Sequence, residues 1–291
     1  FPQFVEMERK HRSLILGLLA AKKSNKVSSS LPDGLKGSLF LSFRRGLGSL
    51  VETLVKAMVG VQISTGQRVL SVEKLSDPVK GRKYKVIFGR SGENTKHLDA
   101  DAIILAVPAF AAAKLLSAHT AVDKLTAIPY VSVANVIMAF DRKDIKYPLD
   151  GSGFVVPRQE HRFITACTWV SSKWQHTAPE GKVLLRCYVG RSGDEQWMVL
   201  SDEELLTKVR HDLEDIMQIT AKPLFFEVTR WKESMPQYAV GHLDNISQLR
   251  RQLTLDMPGV FLTGSGYHGV GIPDCIRQGK EAASHVISDN A

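Results

Sequence analysis

One stretch of this sequence combines residue types and spacing suited to chemistry. Gly264-Ser-Gly-Tyr-His-Gly269 fits the pattern G-x-G-x-x-G. It follows the apolar run 259–263 and precedes a helical pattern over about 273–287. Glycine lets a backbone come close to a ligand, and a helix start presents unpaired N–H groups to negative charge. Val270-Gly-Ile-Pro-Asp274 places a proline at that helix start, where its missing N–H costs nothing. Turn and helix start together form an anion site, suited to an electron-accepting ring that gains negative charge. As the opening of a dinucleotide-binding unit the motif is incomplete: no second strand follows, and no acidic residue stands about 20 positions on. A plain tight turn also accounts for the glycines.

Other chemistries find little support. No Ser/His/Asp or paired-carboxylate constellation stands out. His97, His119, His161, His176, His211, His242 and His285 show no ligand spacing, so no metal is expected. Cys167, Cys187 and Cys275 are odd in number and far apart, which fits reduced thiols and a cytoplasmic protein. Arg44, Arg45, Arg158 and Arg162 are candidate partners for carboxylates, since guanidinium pairs with them bidentately; for each, a solvated surface arginine is the plainer reading.

The elements that must position the turn are legible from pattern. The first helix spans 4–21, followed by a Ser-, Lys- and Gly-rich loop at 22–36 with a turn at 31–34. Residues 9–21 imitate the basic and apolar parts of a secretion signal, but the apolar run is short and reads as an internal helix. An amphipathic helix follows Ser49, with Leu50, Leu54, Ala57 and Met58 on one face. Short strands are expected at 61–64, 67–74 and 84–88, the last two paired antiparallel across a turn at 77–81. The continuous apolar run 103–107 fits a strand buried on both faces of a parallel sheet, stopped by Pro108. The style then changes. A helix is expected at 109–118, strands at 131–140, 153–157, 163–170, 182–190 and 225–231, and helices at 202–218, capped by Ser201, and 244–256. At 259 the earlier style returns. The alternation implies one domain built of separated segments with another inserted.

The chain has 291 residues, 44% of them hydrophobic, enough for about two domains. It begins at Phe1, which marks a processed chain or a fragment. Of the net charge of +8, residues 1–60 carry +6, from ten Lys/Arg and four Asp/Glu. Such a surface attracts nucleic acid, an anionic membrane or an acidic small molecule. Neither a helix-turn-helix signature nor an aromatic-interleaved basic stripe is present, so nucleic acid is not expected. The run 102–113 contains Pro108 and is shorter than the roughly 20 residues of a membrane span.

The segment 264–283, from the glycine turn through Lys280-Glu-Ala-Ala283, resembles the C-terminal flavin segment of protoporphyrinogen and coproporphyrinogen oxidases, of the Firmicute type within the flavin amine oxidases. So does Thr229-Arg-Trp-Lys-Glu-Ser-Met-Pro-Gln-Tyr-Ala-Val-Gly-His242. Further matches are Phe1-Pro-Gln-Phe4 with Lys10-His-Arg-Ser-Leu-Ile-Leu-Gly17, Thr165-Ala-Cys-Thr-Trp169 and Ala178-Pro-Glu-Gly-Lys-Val-Leu-Leu-Arg186. The resemblance implies an α/β (α+β mixed) fold: an FAD-binding domain of discontinuous segments with an inserted mixed-sheet substrate domain. It implies a helical substrate-domain tail and loop at 1–37, FAD-domain segments at 38–108 and 257–291, and a substrate-binding domain at 109–256. The family's opening strand–GxGxxG–helix unit does not precede Phe1, so the chain is expected to be a fragment whose activity and FAD binding are open.

The implied reaction oxidises coproporphyrinogen III or protoporphyrinogen IX with FAD and oxygen, in the cytoplasm or in peripheral association with a membrane. Implied FAD contacts are Val69, through its backbone, Trp231, and the tripeptide Val270, Gly271 and Ile272 against the flavin ring. Gly153 and Val155, two apart on a strand, lie where the family lines its porphyrin pocket. On their own, Val69 reads as an inward strand valine and Trp231 as a core tryptophan. His268 stands where relatives often have Glu. Two other readings stand beside this one: a different flavin oxidase of the fold, such as an amine oxidase or carotenoid desaturase, and a truncated non-catalytic domain that binds acidic ligands or partners.

Overall fold

A computed structural model describes residues 2–24, 41–79, 81–90, 94–117 and 122–289. Of the expected loop at 22–36, residues 22–24 continue α2 instead, and 25–36, with the turn at 31–34, lie outside these. The chain forms two compact units, Phe1–Val59 and Gly60–Ala291.

The first unit carries α1 (Pro2–His11), α2 (Leu14–Ser24) and α3 (Gly48–Ala57). The single helix expected over 4–21 is broken: Arg12 has φ 55, a left-handed conformation that interrupts the helical ladder. No residue of α3 is buried, and Leu54 and Met58 on its apolar stripe are exposed.

The second unit contains β1 (Arg68–Val79), β2 (Arg82–Gly89), β3 (Lys96–Ala100), β4 (Ile103–Leu105), α4 (Ala109–Leu115), α5 (Val122–Thr126), β5 (Tyr130–Asp141), β6 (Gly153–Val155), β7 (Ile164–Trp169), α6 (Val170–Lys173), β8 (Lys182–Val189), α7 (Asp202–Met217), β9 (Phe225–Pro236), α8 (His242–Asp256), β10 (Val260–Leu262) and α9 (Ile272–Asp289). The strands form three sheets, ordered β1-β2-β3, β10-β4 and β6-β7-β8-β5-β9. Residues 61–64 form no strand; Val61 and Ile63 are exposed, so no buried face holds them in register. The third strand of the first sheet is instead β3. Strand β1 also runs on to Val79, through most of the turn expected at 77–81.

The five-stranded sheet is antiparallel at every pairing, not of mixed direction. Short connections such as the one from β7 through α6 to β8 reverse the chain without the long crossover that parallel strands need. Its inward side chains, among them Val136, Met138, Cys167, Leu185 and Cys187, pack with Leu205, Val209 and Leu213 of α7. The start of α7 is a capping box: Glu204 N–H donates to the Ser201 hydroxyl, and the Ser201 N–H donates to the Glu204 carboxylate. The buried carboxylate of Asp212 then accepts the Ile164 N–H at 2.8 Å, which fastens α7 to β7.

A second core joins the remaining sheets. Leu105, Ala109, Ala112, Leu253, Val260, Leu262 and Tyr267 cluster with Val72 of β1 and Tyr84 of β2. The two-stranded sheet is parallel, Ile103 to Val260 and Leu105 to Leu262. Among the described residues it is not covered on both faces, since Ile104 is exposed. Tyr84 is fully buried and donates to the Pro258 carbonyl at 2.8 Å, tying the three-stranded sheet to the approach of β10. Burial pushes its phenol up from 10.0 to about 12. The unfolded chain therefore loses this proton at lower pH than the folded one, and stability falls as pH rises from 10.0 towards about 12. Urea unfolding across that range is expected to show a shallower alkaline decline for Tyr84→Phe than for the parent.

Candidate functional site

Strands β4 and β10 run parallel, so their carboxyl ends open at one edge, where α/β sheets hold their ligands. The Thr263 N–H donates to the Leu105 carbonyl, and the chain then enters the glycine turn. Gly264 and Gly269 have φ of 123 and 112, accessible to glycine and strained for other residues. At Gly266 an added Cβ would lie 2.5 Å from the Tyr130 hydroxyl, and at Gly269 it would lie 2.5 Å from the Asp274 carboxyl carbon. At Gly271 the constraint is milder: a Cβ would meet a carboxylate oxygen of Asp274 at 3.2 Å. The turn's shape is thus fixed mainly at Gly266 and Gly269, whereas a Cβ at Gly271 asks only a small shift of the Asp274 carboxylate.

Aromatic residues hold the turn from beneath. The Tyr238 hydroxyl donates to the Ser265 carbonyl at 2.6 Å and accepts the Gly269 N–H at 2.8 Å. Its ring stacks on His242 at 3.9 Å, and His242 donates through Nε2 to the Tyr267 carbonyl at 3.0 Å. Tyr267 is buried and reaches the Val107 carbonyl; Tyr130 accepts the Ala109 N–H. None of these four aromatic residues stood out in the sequence. They share no spacing, and the adjacent Gln-Tyr-Ala-Val-Gly-His stretch was the one available signal.

Beyond the turn, Val270 and Ile272 are 59% and 49% exposed. The Cys275 N–H closes the first turn of α9 on the Gly271 carbonyl, while the N–H groups of Val270, Gly271 and Ile272 find no acceptor among the described residues. Asp274 brings a negative charge to this helix start. Arg277 offsets it, 3.6 Å from Asp274, and also pairs with Glu281 and donates to His268 at Nδ1 and at its carbonyl.

The other candidates are placed as follows. Trp231 is half exposed and in neither core, so it is not the core tryptophan that composition alone suggested. It pairs with Val133 across a bulge that sets residues 232–234 against Ser132, with Glu233 at φ 44 and its N–H on the Ser132 hydroxyl. Bulges of this kind re-aim side chains near functional sites. β9 and the residues that follow it link Trp231 to Tyr238 and so to the turn. Val69 is 39% exposed on the edge strand β1, beside a bulge that leaves Leu70 without a ladder partner.

Gly153 and Val155 lie on edge strand β6, apart from the turn in sequence and sheet, and Val155 is 80% exposed. Gly153 has φ 131, and a Cβ there would collide with the Cys167 carbonyl oxygen. Of the four arginines, Arg45 pairs with Glu52, Arg158 donates to the Ser192 carbonyl and Arg162 pairs with Asp215. The Cys187 thiol is pushed up by its hydrogen bond with Cys167 and by burial, which leaves it inert as a nucleophile. Among the described residues no group of three His, Cys, Asp or Glu is placed to hold a metal, and no helix is long and apolar enough to cross a membrane.

Residues 1–287 match the model of flavin containing amine oxidoreductases. The chain belongs to this flavin-containing family. It is 42% identical over 288 residues to the coproporphyrinogen III oxidase of Bacillus subtilis (strain 168), covering 99% of this chain and 59% of that protein. Identity to the coproporphyrinogen III oxidase of Staphylococcus aureus (strain NCTC 8325 / PS 47) is 36% over 290 residues, covering 99% and 60%. A crystal structure provisionally named protoporphyrinogen oxidase, from Exiguobacterium sp. 255-15, superposes with a TM-score of 0.78 at 32% identity, covering 99% of this chain and 58% of that one. Reduced UDP-galactopyranose mutase, at 14% identity and a TM-score of 0.64, shares the fold. The chain thus spans about three-fifths of the length of the curated relatives it matches.

Two tests follow from the site's framework. Burial holds the His242 imidazole below its ordinary 6.5, against the Tyr267 carbonyl, which raises it; His268 lowers it further. The unfolded chain takes up this proton first, so the stability tied to neutral His242 is complete above 6.5 and is lost as pH falls from there to the folded-state value. Thermal melts are expected to show a steeper acid decline for the parent than for His242→Gln. Gly153→Ala is expected to destabilise by about 1–3 kcal/mol in urea unfolding, because β6 must move off β7 or adopt a strained backbone; an unchanged midpoint would show that the close approach does not constrain the fold.

Proposed function

We propose that this protein oxidises a porphyrinogen, coproporphyrinogen III in the first place, to the porphyrin in haem biosynthesis, with FAD as its flavin and oxygen as the final acceptor. The observation that carries the reading is the exposed Val270-Gly271-Ile272 tripeptide at the carboxyl ends of β4 and β10. It occurs in a chain whose curated relatives are named coproporphyrinogen III oxidases. The residues present suit a flat, partly apolar ring that accumulates negative charge: two exposed aliphatic side chains, a glycine between them that adds no bulk, and backbone donors without acceptors.

When bound, FAD would supply the two-electron acceptor in each of three rounds, taking six electrons in all, with oxygen restoring it and yielding hydrogen peroxide. The chain's own part is positioning and electrostatics. The free N–H groups of 270–272 and the positive end of α9 are fixed before reaction and directed at developing negative charge, so no reorganisation is needed when it appears. Arg277 tempers the carboxylate of Asp274 beside them. Val270 and Ile272 shed water from the ring face. Trp231 adds a flat apolar surface. The backbone beside Val69, freed by the β1 bulge, is the proposed adenine contact, and the exposed β6 surface around Gly153 and Val155 the proposed wall for the macrocycle. Segments 38–108 and 257–291 form the proposed FAD domain around an inserted 109–256. The three free cysteines fit a cytoplasmic setting.

The direct test is anaerobic mixing of the flavin-loaded full-length protein with coproporphyrinogen III, followed by visible absorbance. Bleaching of the flavin band, and its return in air with porphyrin formed, is expected; a flavin that stays oxidised contradicts the reading. Because Trp231 lies outside both cores and a Cβ at Gly271 meets only the movable end of the Asp274 side chain, Trp231→Ala and Gly271→Val are expected to melt within a few degrees of the parent while losing most of their bound flavin or slowing its reduction about tenfold or more. Normal flavin content and rate with a lowered melting temperature would make both residues purely structural.

A further inference from the structure

We propose that Tyr238 is a positioning residue for the 270–272 tripeptide, supported by His242, a role that rests on the flavin reading above. One phenol oxygen joins the two ends of the turn: it donates to the Ser265 carbonyl at 2.6 Å and accepts from Gly269 N–H at 2.8 Å. The stacked His242 ring fixes the carbonyl between them, that of Tyr267, at 3.0 Å. Two parallel rings, 3.9 Å apart, thus hold backbone groups at 265, 267 and 269. Among the described residues the Tyr238 hydroxyl is the sole acceptor of the Gly269 N–H.

That position matters because Gly269 stands next to Val270, with its backbone at φ 112, a conformation suited to glycine. Gly271 contributes no side chain, so the angle at which the tripeptide and its free donors are presented is set by the backbone just before it. The Gln278 amide, 3.5 Å from the Gly269 carbonyl, is too distant to set it alone. Tyr238 follows β9, so the same connection that aims Trp231 also sets the tilt of the turn.

Tyr238→Phe keeps the ring and removes both hydrogen bonds. Tyr84→Phe is the control, since it removes a phenol–carbonyl hydrogen bond of similar length, to Pro258, away from the turn. Both are made in the flavin-loaded full-length protein and compared by flavin dissociation rate, by redox titration of the bound flavin and by hydrogen exchange of peptides covering 264–275. Tyr238→Phe is expected to release flavin about tenfold faster, the scale of one lost buried hydrogen bond. Misplaced donors stabilise the reduced, negatively charged flavin less, so its potential is expected to fall by about 30 mV, the equivalent of tenfold for two electrons. Exchange over 264–275 is expected to quicken, and Tyr84→Phe to move none of the three. Parental flavin behaviour in Tyr238→Phe would overturn the positioning role alone. A parental protein that holds no flavin would overturn the functional reading and this role with it.

Discussion

Strands β4 and β10 stand far apart in the chain, yet three successive residues of each pair in parallel, from Ile103 with Val260 to Leu105 with Leu262. Parallel pairing forces both strands to end at the same edge. Everything attributed to the site follows from that constraint. The chain leaves β10 into the glycine turn, and it leaves β4 after Leu105 for Val107, whose carbonyl accepts from Tyr267, and Ala109, whose N–H donates to Tyr130. A pair of strands this short cannot hold its register unaided. Burial of Leu105, Val260 and Leu262 with α4, α8 and the three-stranded sheet supplies the rest.

Rigid support and open surface are divided cleanly across the turn. Gly266, Tyr267 and Thr263 are buried and committed to internal contacts, whereas Val270 and Ile272, only a few residues on, face solvent with unused backbone donors. Exposed aliphatic groups beside free N–H groups contribute nothing to the stability of this chain, and so the arrangement suits a ligand better than a core. The same division applies along β9, where Val228 packs with the sheet's core and Trp231, past the middle of the strand, stands out from it at the bulge.

Strong apolar runs made much of this fold legible. The runs 103–107 and 259–263 announced their strands through unbroken apolar stretches, although Ile104 faces solvent, and Ser201 with three acidic residues after it announced α7 through capping chemistry. Strand β3 escaped notice because Lys96-His-Leu-Asp-Ala100 is half exposed and polar, held by pairing with β2 and not by burial. Residues 61–64 misled for the opposite reason: Val61-Gln-Ile-Ser64 alternates apolar and polar as a strand does, but no sheet edge takes it up. The break at Arg12 and the antiparallel direction of the large sheet depend on tertiary packing that no local pattern encodes. At the site, glycine spacing marked the turn, but Gly271 drew the attention that Gly266 and Gly269 deserved, because steric need depends on Tyr130 and Asp274, which lie at separations no motif specifies. Tyr238 and His242 were visible only as part of a familiar stretch, and their shared task emerges from the stacking of two rings.

The central claim is that the flavin ring rests on the tripeptide beyond this turn. A crystal structure of the flavin-loaded full-length protein tests it most directly. The account predicts the ring against the backbone of Val270, Gly271 and Ile272, with at least one of their N–H groups donating to its negatively charged edge at about 2.7–3.2 Å. A ring bound elsewhere, with these donors facing water, would contradict it.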